Sequence, residues 1–217
     1  APYQLQYLGD SSYGSMLPLE FSPEVIKPLT TAMDQVRFEQ YLDFLRNRTF
    51  RNTLVVHRDH VLTRQPDMNQ VESFRAAGKL KPQIAFDPEG STPIQFDARS
   101  GKGNVLARTR VTRLALQSLA IDWPRAKPLA QLVDEVAAAT PPEGGRSIAE
   151  HRAWVKSEIL PDLFLSYAGG LVELTTVEDF FATAVPPRPV VSPWARRGVV
   201  SSDVKDHASW LAFVQWR

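Results

Sequence analysis

Three consecutive helical segments, at about Arg110–Ile121, Pro128–Ala138 and Ser147–Ser166, constrain the fold of this chain most. A helix that is apolar on one side must bury that side against another element. In the second segment Leu129, Leu132, Val133 and Val136 make such a face. The third opens with Ser147-Ile148-Ala149-Glu150, a capping box in which each end satisfies the other's free amide. Pro161 removes one amide donor from this segment and predicts a kink or a restart. Gly169-Gly170 ends it, and Leu171–Thr176 reads as a strand. Ahead of the helices, Gln83–Asp87 and Ile94–Asp97 alternate like paired strands across Pro88-Glu89-Gly90-Ser91. A loop containing Gly101 and Gly103 follows them.

The first third is mostly helical. Ser22-Pro23-Glu24 starts a short helix to about Met33. Asp34 caps a second, Gln35 to about Arg48, whose Phe38, Tyr41, Leu42 and Leu45 recur at i, i+3, i+4 and i+7 and predict one buried stripe. Thr53–Val56 is a β-branched run and predicts a strand, and Asp67 starts a helix that reaches about Ala77 before Gly78. These patterns predict an α+β protein, mainly helical. Residues 1–86 form a small helical domain with short strands. Residues 87–186 follow the order strand, three helices, returning strand, which is winged-helix-like. Residues 187–217 are a tail, joined through the proline-rich VPPRPVVSP of Val185–Pro193, an extended connector.

Composition excludes several kinds of chemistry. The 217 residues contain no cysteine, which removes a thiolate zinc site, an iron–sulfur cluster, a disulfide scaffold and a cysteine nucleophile. Lys and Arg number 25 against 24 Asp and Glu, so no general field attracts polyanions. The balance conceals no basic domain, since residues 1–86 carry 10 basic and 9 acidic side chains and residues 87–186 carry 10 and 13. The third helix of the winged-helix-like segment offers only Arg152 and Lys156 against Glu150, Glu158 and Asp162. A nucleic-acid-binding protein is therefore the weaker reading and protein–protein contact the stronger. No apolar run approaches the length of a membrane span, and APYQLQYLGD lacks the features of a signal peptide, which points to a cytoplasmic protein without membrane attachment. A start at Ala1 suggests a piece of a longer protein.

Catalytic motifs are missing. Gly101-Lys102-Gly103 lacks a third glycine, and Gly169-Gly170 closes a helix instead of opening one, so neither reads as a cofactor loop. His57-Arg58-Asp59-His60 contains metal-ligand types, but neither a strand nor a helix turns all three ligands to one side. Ser12, in Asp10-Ser11-Ser12-Tyr13-Gly14, lacks the leading glycine of a nucleophile elbow. No catalytic, cofactor or metal residue is assigned. Arg46-Asn47-Arg48-Thr49-Phe50-Arg51 stands out, because three guanidiniums in six residues can clamp a carboxylate or phosphate. Arg46, Arg48 and Arg51 are the candidate partner-binding residues. The plainer alternative pairs Arg46 with Asp43 at i, i+3 beside a helix C-terminus.

Phe38–His57, FEQYLDFLRNRTFRNTLVVH, resembles the regulatory domain of a bacterial family of SAM-dependent methyltransferases, whose most recognisable run has the form EQYLDFLRNRxFRQTLL. Asn52 stands where the family usually has Gln, and Leu5–Gly9 and Ser15–Pro18 fit the same pattern. Leu116–Pro128, LQSLAIDWPRAKP, resembles the C-terminal winged-helix domain of such enzymes, including those that methylate protein lysines. The resemblance spans about residues 4–185. It implies a non-catalytic regulatory or substrate-recognition region that acts through protein–protein contacts. Its implied partners are the catalytic domain, in cis or in trans, and a protein substrate. SAM is expected only in that absent catalytic domain.

Overall fold

Strand β1 (Leu5–Asp10) pairs antiparallel with β2 (Thr53–His57), a partner more than forty residues away in sequence. The computed structural model describes residues 3–178, apart from 33, 65, 86, 88, 89, 91, 102 and 143. The proline-rich connector and the tail to 217 lie outside the described residues. Between the two strands run a 3-10 turn (Tyr13–Met16) and helices α1 (Pro23–Ala32) and α2 (Gln35–Leu45). Asp34 caps α2 by accepting from the Arg37 amide at 2.9 Å, as its sequence position predicts.

Beyond residue 66 come α3 (Met68–Val71), β3 (Arg75–Gly78), β4 (Leu80–Pro82), β5 (Ile94–Ala98) and β6 (Asn104–Ala107). Then follow α4 (Arg110–Asp122), β7 (Lys127–Pro128), α5 (Leu129–Ala139), α6 (Ile148–Ala168) and β8 (Val172–Thr175). The strands form three antiparallel sheets among the described residues, ordered β1-β2, β7-β3-β8 and β4-β5-β6. The architecture is mixed α+β. The core lies where α4, α5 and α6 meet the second and third sheets, filled by Phe96, Leu116, Leu119, Leu132, Ile159 and Leu160. Residues 1–176 make one compact unit.

Several elements differ from the sequence expectations. The helix expected from Asp67 to about Ala77 stops at Val71, and Arg75–Gly78 is a strand at the centre of its sheet. Small residues explain this: a Cβ on Gly78 would sit 2.9 Å from Leu119 Cβ, so only a chain this slim fits beneath α4. Close packing outweighs the helix propensity of two alanines. The strand expected at Gln83–Asp87 is earlier, Leu80–Pro82, because Leu80 is the residue that enters the core, paired with Ala98. The Gln83 amide still donates to the Gln95 carbonyl at 2.9 Å, extending the ladder by one bond.

Pro161 does not restart α6, which runs unbroken from Ile148 to Ala168 behind the expected capping box. The stripe expected on α2 is also rotated. Its inward residues are Glu39, Leu42, Asp43 and Arg46, whereas Tyr41, Phe44 and Leu45 are exposed. The hydrophobic period is real, but α2 packs on a polar layer and leaves much of its apolar face uncovered.

Candidate interaction surface

The polar layer beneath α2 begins with three arginines. Arg46 reaches back across the 3-10 turn, donating to the Ser15 and Leu17 carbonyls and pairing with the Glu20 carboxylate. The expected pairing with Asp43 is not made, because Asp43 is taken by the two later arginines. Arg48 pairs with Asp10 on β1, lies 3.8 Å from Asp43 and donates to the Phe50 carbonyl at 2.8 Å. Arg51 bridges Asp43 at 2.7 Å and Glu39 at 3.0 Å, and touches the Tyr7 hydroxyl at 3.1 Å. All three side chains are less than a quarter exposed. The run that stands out in the sequence thus binds the chain's own carboxylates and ties α2 to β1.

Burial makes these pairs matter. Asp10 is 5% exposed and Glu39 2%. Burial alone would raise the Asp10 carboxyl. The Ser12 amide at 2.9 Å and the Arg48 guanidinium outweigh it and hold the pKa below the ordinary carboxylate value. Glu39 accepts from Tyr7 and from Gln35, the latter at 2.6 Å. Burial, then the hydrogen bond and charge of Glu39, push the Tyr7 hydroxyl up to about 12. Tyr7 is therefore a protonated donor at neutral pH, with Arg51 and Arg64 against its ring. A cleft of about 1370 Å³ opens beside the layer, lined by Asp10, Tyr13, Glu39, Arg64, Phe164 and Tyr167. Its two buried carboxylates, Asp10 and Glu39, are both ion-paired, with Arg48 and Arg51.

Over this layer lies an apolar exterior. Phe44 is 79% exposed and meets the Tyr41 ring edge-on at 6.3 Å between centroids. Leu45 is exposed on the same helix, and Phe50 follows it in the loop. On the ribbon, Leu54 and Val55 are 44% and 53% exposed. Rigid charged backing and uncovered apolar residues are features of a contact surface. Hydrophobic spacing alone pointed to burial; the signal for the opposite facing is the carboxylate and arginine series Glu39, Asp43, Arg46, which shares the helical period.

The other sequence candidates lie elsewhere. His57 ends β2 and His60 lies in the turn after it, both exposed, and the Gln6 side-chain amide donates to both their carbonyls. Among the described residues, no three His, Cys, Asp or Glu side chains gather as a metal site would require. Gly101 and Gly103 take positive φ in the β5–β6 connection, and Gly169-Gly170 follows α6. Neither pair stands between a strand and the start of a helix, so neither fits a SAM-binding loop. On α6, Arg152 bonds Asp134 and Glu72, and Lys156 bonds Glu72. Both cations expected on a groove-reading helix are thus paired within the chain. No helix of the described residues is long and apolar enough to cross a membrane.

Comparison with known proteins matches residues 1–57 to a family described as "Predicted methyltransferase regulatory domain". That span ends on the last residue of β2. The "Uncharacterized protein RP789" of Rickettsia prowazekii (strain Madrid E) is 35% identical over 111 residues, 49% of this chain and 20% of that protein. Two solved structures of PKMT2 from Rickettsia typhi share the fold. The one in complex with AdoHcy has a TM-score of 0.67 at 20% identity and covers 89% of this chain and 37% of its own. The other has a TM-score of 0.69 at 20% identity, covering 89% and 38%. The chain thus spans a fifth of the curated relative and little more than a third of the solved ones.

Proposed function

We propose that this chain is a non-catalytic regulatory or substrate-recognition region of a SAM-dependent methyltransferase, acting through protein–protein contacts. One observation carries the reading: a regulatory-domain match over residues 1–57, within a fold shared along 89% of the chain with a protein more than twice as long. The partner is a SAM-binding catalytic domain, in the same polypeptide or a separate one, and the substrate class is a protein, both in the cytoplasm. The first 86 residues are the regulatory-type domain and residues 87–186 the winged-helix-like one, in which α4, α5 and α6 supply the three helices.

Two features support contact over catalysis. The buried carboxylates of the first region are ion-paired, and the candidate glycine pairs lie in a strand connection and after a helix. Arg46, Arg48 and Arg51 serve partner binding here by holding α2 and β1 in place under the exposed apolar residues. The test is isothermal titration calorimetry of the 217-residue chain with SAM, beside a methyl-transfer assay on a bacterial protein extract. Neither heat of binding nor methyl incorporation is expected. Tight SAM binding or methylation by the chain alone would overturn the proposal.

A further inference from the structure

The cleft of about 1370 Å³ beside the polar layer holds a cluster of rings that the proposed function does not use. Tyr13 comes from the 3-10 turn, and Phe164 and Tyr167, at i and i+3, come from α6. The Tyr13 and Phe164 centroids are 4.9 Å apart with the rings at 65°, and those of Phe164 and Tyr167 are 5.9 Å apart at 47°. Rings set at such angles bound a corner, where parallel rings would close on each other. All three are half-buried and line the cleft. Elsewhere the chain covers rings with its own cations: five arginines lie over aromatic rings at 5.1 to 5.9 Å, from Arg46 over Phe21 to Arg146 over Trp154. Among the described residues no such cation lies over Tyr13, Phe164 or Tyr167.

Charge in the cleft favours a cation. Asp10, Glu39 and Asp67 line it against one basic residue, Arg64, which is engaged by the Tyr7 and Leu8 carbonyls and the Tyr7 ring. Arg48 and Arg51, the partners of Asp10 and Glu39, do not line it. Each oxygen of the two buried carboxylates already has a donor. Asp10 Oδ1 accepts from the Ser12 amide and Oδ2 from Arg48. Glu39 Oε1 accepts from Gln35 and Oε2 from Tyr7 and Arg51. An ammonium or guanidinium must keep its N–H groups bonded and finds these acceptors taken. A quaternary ammonium has no N–H and needs only aromatic faces and a negative field. We propose that Tyr13, Phe164 and Tyr167 bind a quaternary ammonium group by cation–π contact, in the field of Asp10 and Glu39. The rings and charges define this ligand, independently of the methyltransferase resemblance. Such a group comes from two sources, a trimethylated lysine side chain in a protein or a free small cation such as choline.

Isothermal titration calorimetry of the full chain with choline, up to about 20 mM, reads the site directly, and saturable binding is expected. The uncharged isostere of choline, in which a carbon replaces the nitrogen, keeps the shape without the charge and should bind about tenfold more weakly. Tyr167→Leu and Tyr13→Leu keep apolar bulk and remove a ring face, so each should weaken choline binding about threefold or more. The melting temperature, read beside each titration, shows that the variants are folded. The blocked pentapeptide GAKAG, titrated with its lysine unmethylated and trimethylated, separates the two sources. Tighter binding of the trimethylated peptide than of choline identifies a protein-borne group, and tighter binding of choline a free one. Binding of neither would overturn the proposal. So would an isostere that binds as tightly as choline, an unmethylated peptide that matches the trimethylated one, or an affinity unchanged in both tyrosine variants.

Discussion

Truncating Arg48 to alanine separates a scaffold arginine from a contact arginine. The side chain pairs with Asp10 and donates to the Phe50 carbonyl, and the Asp10 side chain is 2% exposed. Removing the guanidinium leaves a buried carboxylate with the Ser12 amide as its main remaining partner. Breaking a buried ion pair from one side costs about 3–5 kcal/mol. Arg48 itself is 22% exposed and Ser12 still donates, which places the loss near the lower end, about 3 kcal/mol. For a unit of this size that corresponds to a melting temperature lower by about 6–12 °C. Differential scanning calorimetry of Arg48→Ala measures it, with Arg48→Ala/Asp10→Asn as the second corner of a double-mutant cycle. Removing the stranded charge should recover part of the loss. A contact arginine would behave in the opposite way, with melting unchanged and partner binding lost. A fall of less than about 2 °C would refute the reasoning that Arg48 holds β1 to α2.

Leu42→Ala, at a fully buried site, should cost about 2–5 kcal/mol in urea unfolding, whereas Phe44→Ser on the outer face should stay within about 0.5 kcal/mol. Gly14→Ala should destabilise by about 1–3 kcal/mol in the same assay, because a Cβ there would lie 1.9 Å from the Ala168 carbonyl oxygen and push the 3-10 turn off the end of α6. Acid should unfold the chain through Asp10, Glu20 and Glu72, whose pKa values lie below ordinary in the fold. For Glu20 and Glu72 the leading causes are the hydrogen bonds from Arg46 and Lys156. Their contribution is complete above the ordinary carboxylate values, about 3.8–4.5, and is lost as pH falls through the lowered ones. Urea midpoints at pH 7, 5 and 3 should therefore hold between the first two and drop at the third.

Much of the second half was legible in the sequence because its signals are local. The capping box at Ser147, the apolar face of α5 and the stop after α6 each depend on residues within one or two turns, and each stands where its pattern predicts. The Asp34 cap is of the same kind. Strands were harder, since a strand is defined by its neighbour: β1 finds its partner more than forty residues on, and β3 is a strand because Gly78 must slip beneath Leu119. The regulatory-domain resemblance was legible for another reason, as a nearly continuous motif in Glu39–Leu54.

What the sequence by itself determined was the set of helices, the caps at Asp34 and Ser147, the absence of thiol chemistry and the resemblance of the first region to a methyltransferase regulatory domain. What only the tertiary structure decided was which way α2 faces. Phe38, Tyr41, Leu42 and Leu45 and the series Glu39, Leu42, Asp43 and Arg46 have the same helical spacing and differ by about one residue's rotation. Spacing cannot choose between them. The choice follows Asp10 and Tyr7 on a distant strand, which bond Arg48 and Arg51, so Glu39, Asp43 and Arg46 turn inward while Tyr41 and Leu45 are left outside.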